Sequence, residues 1–439
     1  MVIETAICQT YAMFQENKIL NSLLNLGRKI IPRRIFKWVQ PIYHWILATL
    51  GAILYGFPSR SMKVIAVTGT KGKSTTVYMI CKIFEDQGLS VAAVGSLGFK
   101  IKERTWPNTL KMTLPGRFKL QKFLYQAKRV RVKYVILEAT SEGIAQHRLA
   151  GVSIDCAVFT NLHREHLESH GSFDNYMAAK QRLFLKTSGT HVLNIDDRYF
   201  EKFTNFPARR KITYGKKWGM ITSENLKTKS AKLNLKLLGD FNEYNAIAAL
   251  AIADAYGLDM DKAVISLNSI KSVPGRMEII RASGGFDVVI DYAHTPDSLK
   301  LVYETLKNKL VPSTYNLAPK LICVLGAAGG GRDKWKRSEF GGIAAEYCDE
   351  IILTNEDPYD ENPDMILEQI ASGFLPSTVH YKKIIDRKEA IKTAVMLAKD
   401  GDVVIITGKG SETSMAVAGD RKIPWSDKEI VSEFLGVRG

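Results

Sequence analysis

The chain has 439 residues, of which 46% are hydrophobic and 24% charged, the composition of a folded protein of two or three domains, not a disordered or fibrous one. Its net charge of +16 suits an anionic partner, and no RNA-recognition or helix-turn-helix signature occurs, so nucleic acid ranks behind anionic small molecules and membrane surfaces. Cys8, Cys81, Cys156, Cys323 and Cys348 are scattered with no CxxC pair, which predicts reduced, mostly buried thiols in a cytosolic protein; the eight histidines form no zinc pattern.

Residues 1–62 carry Lys18, Arg28, Lys29, Arg33, Arg34, Lys37 and Arg60 against Glu4 and Glu16. Next to the basic cluster, residues 41–57 read PIYHWILATLGAILYGF, with His44 the sole ionisable side chain. As a helix this run reaches roughly 25 Å, short of the ~30 Å hydrocarbon core. It lies too far into the chain for a signal peptide. A helix packed on the following domain and a helix lying in a membrane interface both fit.

Residues 64–76 read VIAVTGTKGKSTT. A buried strand (64–67), a glycine-rich turn and a helix (75–87) make a phosphate cradle, because turn N–H groups and the helix start point at one anion. Lys73 supplies a mobile cation and the Ser74 hydroxyl a Mg²⁺ ligand. The spacing is G-x-x-G-K-S, since Val67 stands where the longer phosphate-loop motif has its first glycine.

Further strands are expected at 91–95, 134–138, 155–160 and 191–195, with helices at 117–129, 172–186 and 242–256. Short Val/Ile runs between helices predict a parallel sheet covered on both faces. A second series follows Pro274-Gly275, with strands at 287–291, 321–325, 350–354 and 402–406. The expected organisation is a helical segment 1–62, an ATP-binding α/β domain 63–273 with a parallel sheet, and a Rossmann-like α/β domain 274–439.

Glu138 ends a predicted strand, where ligand sites of open α/β sheets lie. His166 follows the next strand. A carboxylate and an imidazole at adjacent strand ends can share a metal, although Mg²⁺ prefers oxygen. Taken alone, Glu138 reads equally as a structural hydrogen bonder, and Lys180 as a solvated surface lysine.

Eleven segments in order resemble the Mur ligase family, in its branch that adds the third residue of the peptidoglycan stem peptide. They include GTKGKST (69–75), LEATSEGIAQHR (137–148), FTNLHREHLESHG (159–171), YMAAKQRLF (176–184), GDFNEYNAIAA (239–249), VPGRMEII (273–280), VIDYAHTPDSL (289–299), GRDKWKR (331–337) and TNEDPYDENP (354–363). GKGSE (408–412) and IPWSDKEI (423–430) complete the series. The resemblance implies an ATP- and Mg²⁺-dependent ligase that activates a muropeptide carboxylate as an acyl phosphate and passes it to an amine. It implies that Gly69, Thr70, Lys71, Gly72, Lys73, Ser74 and Thr75 cradle the nucleotide. Glu138, His166 and Lys180, the last as a carbamate, would join Ser74 around Mg²⁺. Asn242 and Asn245 would meet adenine, Arg276 the γ-phosphate, and Asp291 and His294 would face the nucleotide. Thr140 and Arg148 would touch the muropeptide; Arg332, Glu356, Asp357, Tyr359, Gly408 and Glu412 would line the amino-acid pocket. Lys73, Lys180, Glu138, His166 and Arg276 are the expected catalytic set.

Two departures stand out. Diaminopimelate-using members carry D-N-P-R, its arginine clamping the distal carboxylate. Here the residues are Glu356-Asp357-Pro358-Tyr359, and Ser411 replaces the histidine of G-K-G-H-E. The family also opens with a uridine-binding domain of roughly one hundred residues, whereas 62 basic and apolar residues precede Lys63. A lipid-linked muropeptide is therefore an alternative substrate, and a related ligase acting on a folate- or cyanophycin-type polyamide is a separate alternative. A cytoplasmic monomer is expected, with small-molecule substrates, no nucleic acid, and peripheral contact at the inner membrane face through 28–57.

Overall fold

In the computed structural model, residues 33–110, 112–165, 167–226, 228–310, 312, 318–374, 380–419 and 421–436 are described. Residues 1–32 and His166 lie outside them, so the expectations placed on Lys18, Arg28, Lys29 and His166 do too.

The first sheet has the order β4-β3-β2-β5-β1-β6-β7-β8. Its strands are β1 (Lys63–Thr68), β2 (Val91–Gly95), β3 (Gly98–Ile101), β4 (Arg104–Trp106), β5 (Tyr134–Glu138), β6 (Cys156–Phe159), β7 (Thr190–Asn194) and β8 (Arg210–Tyr214). From β2 to β8 every pairing is parallel, and β3 and β4 add an antiparallel edge. A central parallel strand is covered on both faces, which is why β1 after Lys63, and β5, are apolar runs up to their last residues. One face carries α2 (Lys73–Asp86), α5 (Phe241–Ala255) and α6 (Met260–Ser269). The other carries α3 (Arg117–Arg129) and α4 (Phe173–Lys186). α5 is alanine-rich and buried almost all round, so its backbone packs closely on α2.

α1 (Arg33–Leu54) precedes the sheet and packs on α3. Ala48, Ala52 and His44 point inward and are buried. At Gly51 any side chain would press on Phe118 of α3, so the close approach of the two helices needs the missing Cβ.

The second sheet, β13-β12-β11-β14-β10-β9, is parallel except for its last pair. It contains β9 (Glu278–Arg281), β10 (Asp287–Ile290), β11 (Leu321–Leu325), β12 (Glu350–Leu353), β13 (Tyr381–Lys383) and β14 (Val403–Ile406). Helices α7 (Pro296–Lys307), α8 (Lys336–Tyr347) and α9 (Pro363–Ala371) cover one face, and α10 (Arg387–Leu397) and α11 (Asp427–Leu435) the other. A hairpin of β15 (Ser414–Val417) and β16 (Arg421–Pro424) stands beside it.

One expectation is corrected. Cys323 in β11 and Cys348, two residues before β12, form a disulfide with a Cα separation of 6.0 Å. The two strands are parallel neighbours, so the crossover through α8 returns the chain to the same sheet level. Cys81 and Cys156 are free and buried, as expected of unpaired thiols.

Arg387 and Asp427 form a fully buried ion pair at 2.8 Å. Arg387 also donates to the carbonyls of Asn355 (3.2 Å) and Thr407 (2.8 Å), tying together the loops that follow β12 and β14. Removing one partner of a buried pair strands the other charge. Asp427→Asn should therefore cost about 3–5 kcal/mol of unfolding free energy in urea titrations; a loss below about 1 kcal/mol, the range of exposed pairs, would contradict it.

Candidate active site

β1 ends at Thr68 and the chain turns through 69–72 into α2. Gly72 has φ 79°, and a Cβ there would lie 2.2 Å from Asn245 Oδ1. A Cβ on Gly69 would lie 1.9 Å from Thr160 Oγ1. The loop is thus clamped between α5 and the end of β6, and both glycines are required by contact. Asn161 holds the turn from below: its carbonyl accepts from Thr70 N–H (2.9 Å) and its Oδ1 from Lys71 N–H (2.8 Å).

Lys73 Nζ donates to the carbonyls of Gly69 (3.1 Å) and Thr70 (2.8 Å), folded back over the loop it would leave to meet a phosphate. Ser74 Oγ donates to Glu138 Oε1 (3.1 Å) and accepts from Arg276 Nη2 (3.1 Å). Arg276 comes from the chain entering the second sheet, so three segments far apart in sequence converge on one hydroxyl. Glu138 Oε2 also accepts from Ser96 N–H (2.8 Å). Because β5 and β2 are adjacent parallel strands, Glu138 and Ser96 leave the same sheet edge.

Lys180 is 1% exposed. A lone lysine on an amphipathic helix suggested a solvated side chain; instead α4 turns this face onto the loop. Nζ donates to Gly69 O at 2.7 Å and lies 4.5 Å over the Tyr176 ring. Burial, reinforced by Lys73, holds the amine well below the ordinary lysine range against the pull of Glu165 and Glu138. Tyr176, one turn earlier on α4, shares a 2.9 Å hydrogen bond with Thr70 Oγ1.

The second sheet meets the loop from above. His294 Nε2 lies 3.3 Å from Glu165 Oε1, and Nδ1 bonds the Tyr292 carbonyl at 2.8 Å. A carbonyl only accepts, so Nδ1 carries the proton. Asp297, on the first turn of α7, lies 3.8 Å from Lys71 and 3.6 Å from His163. Asp291 is buried and accepts from the N–H groups of Met277 (2.7 Å) and Ala293 (2.7 Å). It thereby fixes the segment bearing Arg276. Burial raises its pKa, opposed by Arg276.

A cleft of about 1680 Å³ lies between the two sheets. Lys71, Lys73, Ser74, Glu138, Asn245 and Arg276 line one end of it. Asn242 is turned away, its amide donating to Leu238 O at 2.6 Å and its Oδ1 accepting from Asn245 at 3.1 Å. Thr140 caps the short helix Ser141–Ala145 through Gly143 N–H. Arg148 donates to Leu114 O at 2.8 Å. Both also line the cleft.

At the far end, Arg332 Nη2 donates to Tyr359 Oη at 3.0 Å. Tyr359 itself has φ 51°, and its N–H reaches Ala416 of the hairpin at 3.4 Å. Lys409, fully buried, pairs with Asp357 at 2.8 Å and with Glu412. Glu356 is buried beside Gly408, and burial and Asp357 raise its pKa. Glu356, Asp357 and Glu412 thus share a small pocket with Arg332, and Lys409 already pairs with Asp357 and Glu412, which leaves Glu356 and Arg332 to meet an ammonium and a carboxylate.

Sequence reasoning missed Glu165, Ser96, Asn161, Tyr176 and Lys409. Tyr176 was within reach, since position i−4 from Lys180 shares its helix face. Among the described residues no cluster of three or more His, Cys, Asp or Glu side chains could hold a metal.

The profile of the Mur ligase middle domain matches residues 67–253, and that of the Mur ligase glutamate ligase domain matches 275–410. The UDP-N-acetylmuramoyl-L-alanyl-D-glutamate–2,6-diaminopimelate ligase of Caldanaerobacter subterraneus subsp. tengcongensis is 36% identical over 403 residues, 89% of this chain and 81% of that one. The UDP-N-acetylmuramyl-tripeptide synthetase of Roseiflexus sp. is 34% identical over 90% of this chain and 82% of its own. Among solved structures, a UDP-N-acetylmuramoyl-L-alanyl-D-glutamate–2,6-diaminopimelate ligase superposes with TM-score 0.59 at 30% identity, over 89% of this chain and 83% of its own. Escherichia coli FolC with ADP superposes at 0.65 and 18% identity, covering 89% and 94%, a likeness of fold.

Proposed function

Since this chain belongs to the Mur ligase family of ATP-dependent, amide-forming ligases, we propose that it joins the carboxylate of UDP-N-acetylmuramoyl-L-alanyl-D-glutamate, or a related muropeptide, to the amine of a diamino acid. The observation that carries this reading is the convergence of Lys73, Ser74, Glu138 and Arg276 at one end of a cleft whose other end sets carboxylates beside Arg332.

A carboxylate is a poor acyl donor because its oxygen is a poor leaving group. Its oxygen attacks the γ-phosphorus of ATP, ADP leaves, and an acyl phosphate forms. The amine then attacks the carbonyl carbon, loses a proton, and phosphate departs from the tetrahedral intermediate to leave the amide. The first step brings two anions together. Lys73 and Arg276, brought to the same end of the cleft, offset that repulsion. The pocket of Glu356 and Arg332 holds the acceptor so that its amine faces the acyl phosphate.

The Ser74 hydroxyl and Glu138 carboxylate, 3.1 Å apart, are hard oxygen donors that suit Mg²⁺. Carbamylated Lys180 would add a third, and His166 remains a candidate outside the described residues. Bound there, Mg²⁺ would neutralise phosphate charge. The chain acts as a monomer in the cytoplasm, where ATP is held, with peripheral membrane contact through 28–57. Residues 1–62, 63–273 and 274–439 are proposed as its three segments.

The acceptor follows from Tyr359. A phenol cannot clamp a carboxylate bidentately, and here it engages Arg332. Lysine should therefore be used at least as well as meso-diaminopimelate. The test is acceptor-dependent ADP release, crossed over nucleotide- and lipid-linked muropeptides and a panel of diamino acids. A preference for meso-diaminopimelate of tenfold or more in kcat/KM, about 1.4 kcal/mol, would refute the pocket reading. Turnover confined to folate or cyanophycin-type substrates would refute the muropeptide reading.

A further inference from the structure

The surface built by α1 and α3 is apolar along one ridge and free of acidic residues. Residues 33–62 hold four basic residues and residues 117–133 hold seven, with no Asp or Glu in either segment. The two helices are packed together, with Gly51 against Phe118 and the Tyr55 and Tyr125 rings 5.5 Å apart. Along α1 the inward side is His44, Ala48, Gly51 and Ala52. The opposite side is Ile42, Trp45, Ile46, Leu50, Ile53 and Leu54, each 44–71% exposed. At 1.5 Å per residue this ridge runs about 18 Å.

A helix on a protein surface ordinarily turns its polar side to water; over residues 42–54, α1 turns large apolar side chains outward instead. The cations sit on the neighbouring element, where Lys128, Arg129 and Arg131 are exposed beside exposed Tyr125 and Val130. Among the described residues no helix is long and apolar enough to cross a membrane. An apolar ridge flanked by cations suits a surface that is apolar inside and anionic at its rim. A second copy of the same face would oppose basic residues to basic residues, which charge repulsion disfavours.

We propose that the α1–α3 face docks on a bilayer bearing anionic headgroups, with the outward ridge of α1 in the interface. This rests on the peripheral contact proposed above and extends it to a second helix and a lipid class. Ala52 abuts Gly151, in the turn that follows Arg148 on the cleft wall, so docking sets that end of the cleft near the headgroups.

The test is sedimentation of the full chain with phosphatidylcholine vesicles, with and without phosphatidylglycerol. At low salt the anionic vesicles should bind about tenfold more protein than the neutral ones, and added salt should release much of it. The double substitution Leu50→Glu/Ile53→Glu should cut binding about tenfold, and so should Lys128→Gln/Arg129→Gln/Arg131→Gln. Acceptor-dependent ADP release without vesicles should stay at the wild-type level in both variants, which keeps docking separate from catalysis. Absence of binding at low salt, or equal binding to neutral vesicles, overturns the proposal. Self-association abolished by Leu50→Glu/Ile53→Glu without vesicle binding would assign the face to a second copy. Binding seen only after deletion of residues 1–32 would assign it to that segment. Either result overturns docking by the intact chain.

Discussion

Lys180→Ala should lower ligase turnover by about 10³-fold, with formate or acetate restoring part of it. A lysine this deep serves poorly as a cation, because burial and Lys73 both disfavour its charge. The neutral amine is the form that attacks CO₂, losing a proton to give a carbamate. A pKa lowered by burial extends the neutral fraction toward neutral pH, so bicarbonate should reactivate CO₂-stripped protein near pH 7. Reactivation should fade as pH drops through the lowered pKa, where the amine takes up its proton. The product is an anion where Lys73 is close and Glu138 and Ser74 present oxygens. With isotope-labelled bicarbonate, a carbamate carbon resonance should appear in wild type and vanish in Lys180→Ala. Full activity of Lys180→Ala, or a wild-type protein indifferent to CO₂ removal, would end this account. The same substitution removes the 2.7 Å bond to Gly69, so a carboxylate that restores turnover separates the anion from loop geometry.

The features legible in the sequence are those set by local periodicity. β1, β2, β5 and β11 are short apolar runs, and α3 and α4 are amphipathic repeats; their observed limits fall within two residues of expectation. The turn between β1 and α2 was legible because glycines between an apolar run and a helical repeat mark a tight strand-to-helix connection. What periodicity could not show is pairing across long separations. β3, β4 and β8 are edge strands with mixed patterns, placed by the neighbours they pair with. The Cys323–Cys348 bond depends on strands 11 and 12 lying side by side. Taken without the family resemblance, Lys180 reads as solvated, because nothing near it in sequence reveals that Gly69, 111 residues away, sits on it. Tyr359 is the opposite case: a departure from a family pattern, visible in one letter, whose partner Arg332 emerges from the fold.

Lys73→Ala should lower turnover by about 10²–10³-fold while the fold survives. The fold survives because Lys73 is partly exposed and its two bonds to loop carbonyls each contribute about 0.5–1.5 kcal/mol. Turnover falls because the same ammonium reaches over the cradle, and its partners there are loop carbonyls it can exchange for phosphate oxygens. A second consequence separates this lysine from an ordinary phosphate clamp. Its charge helps hold Lys180 neutral, so Lys73→Ala should raise the Lys180 pKa and increase the bicarbonate needed for reactivation. Lys73→Arg keeps the charge and should leave that requirement unchanged while still impairing turnover, since a planar guanidinium does not replace a compact ammonium. Two coupled residues are not independent, so the Lys73→Ala/Lys180→Ala double variant should lose far less than the product of the single losses. Losses that multiply would show that the two lysines act separately, and residual activity above about a tenth of wild type in Lys73→Ala would remove it from the catalytic set.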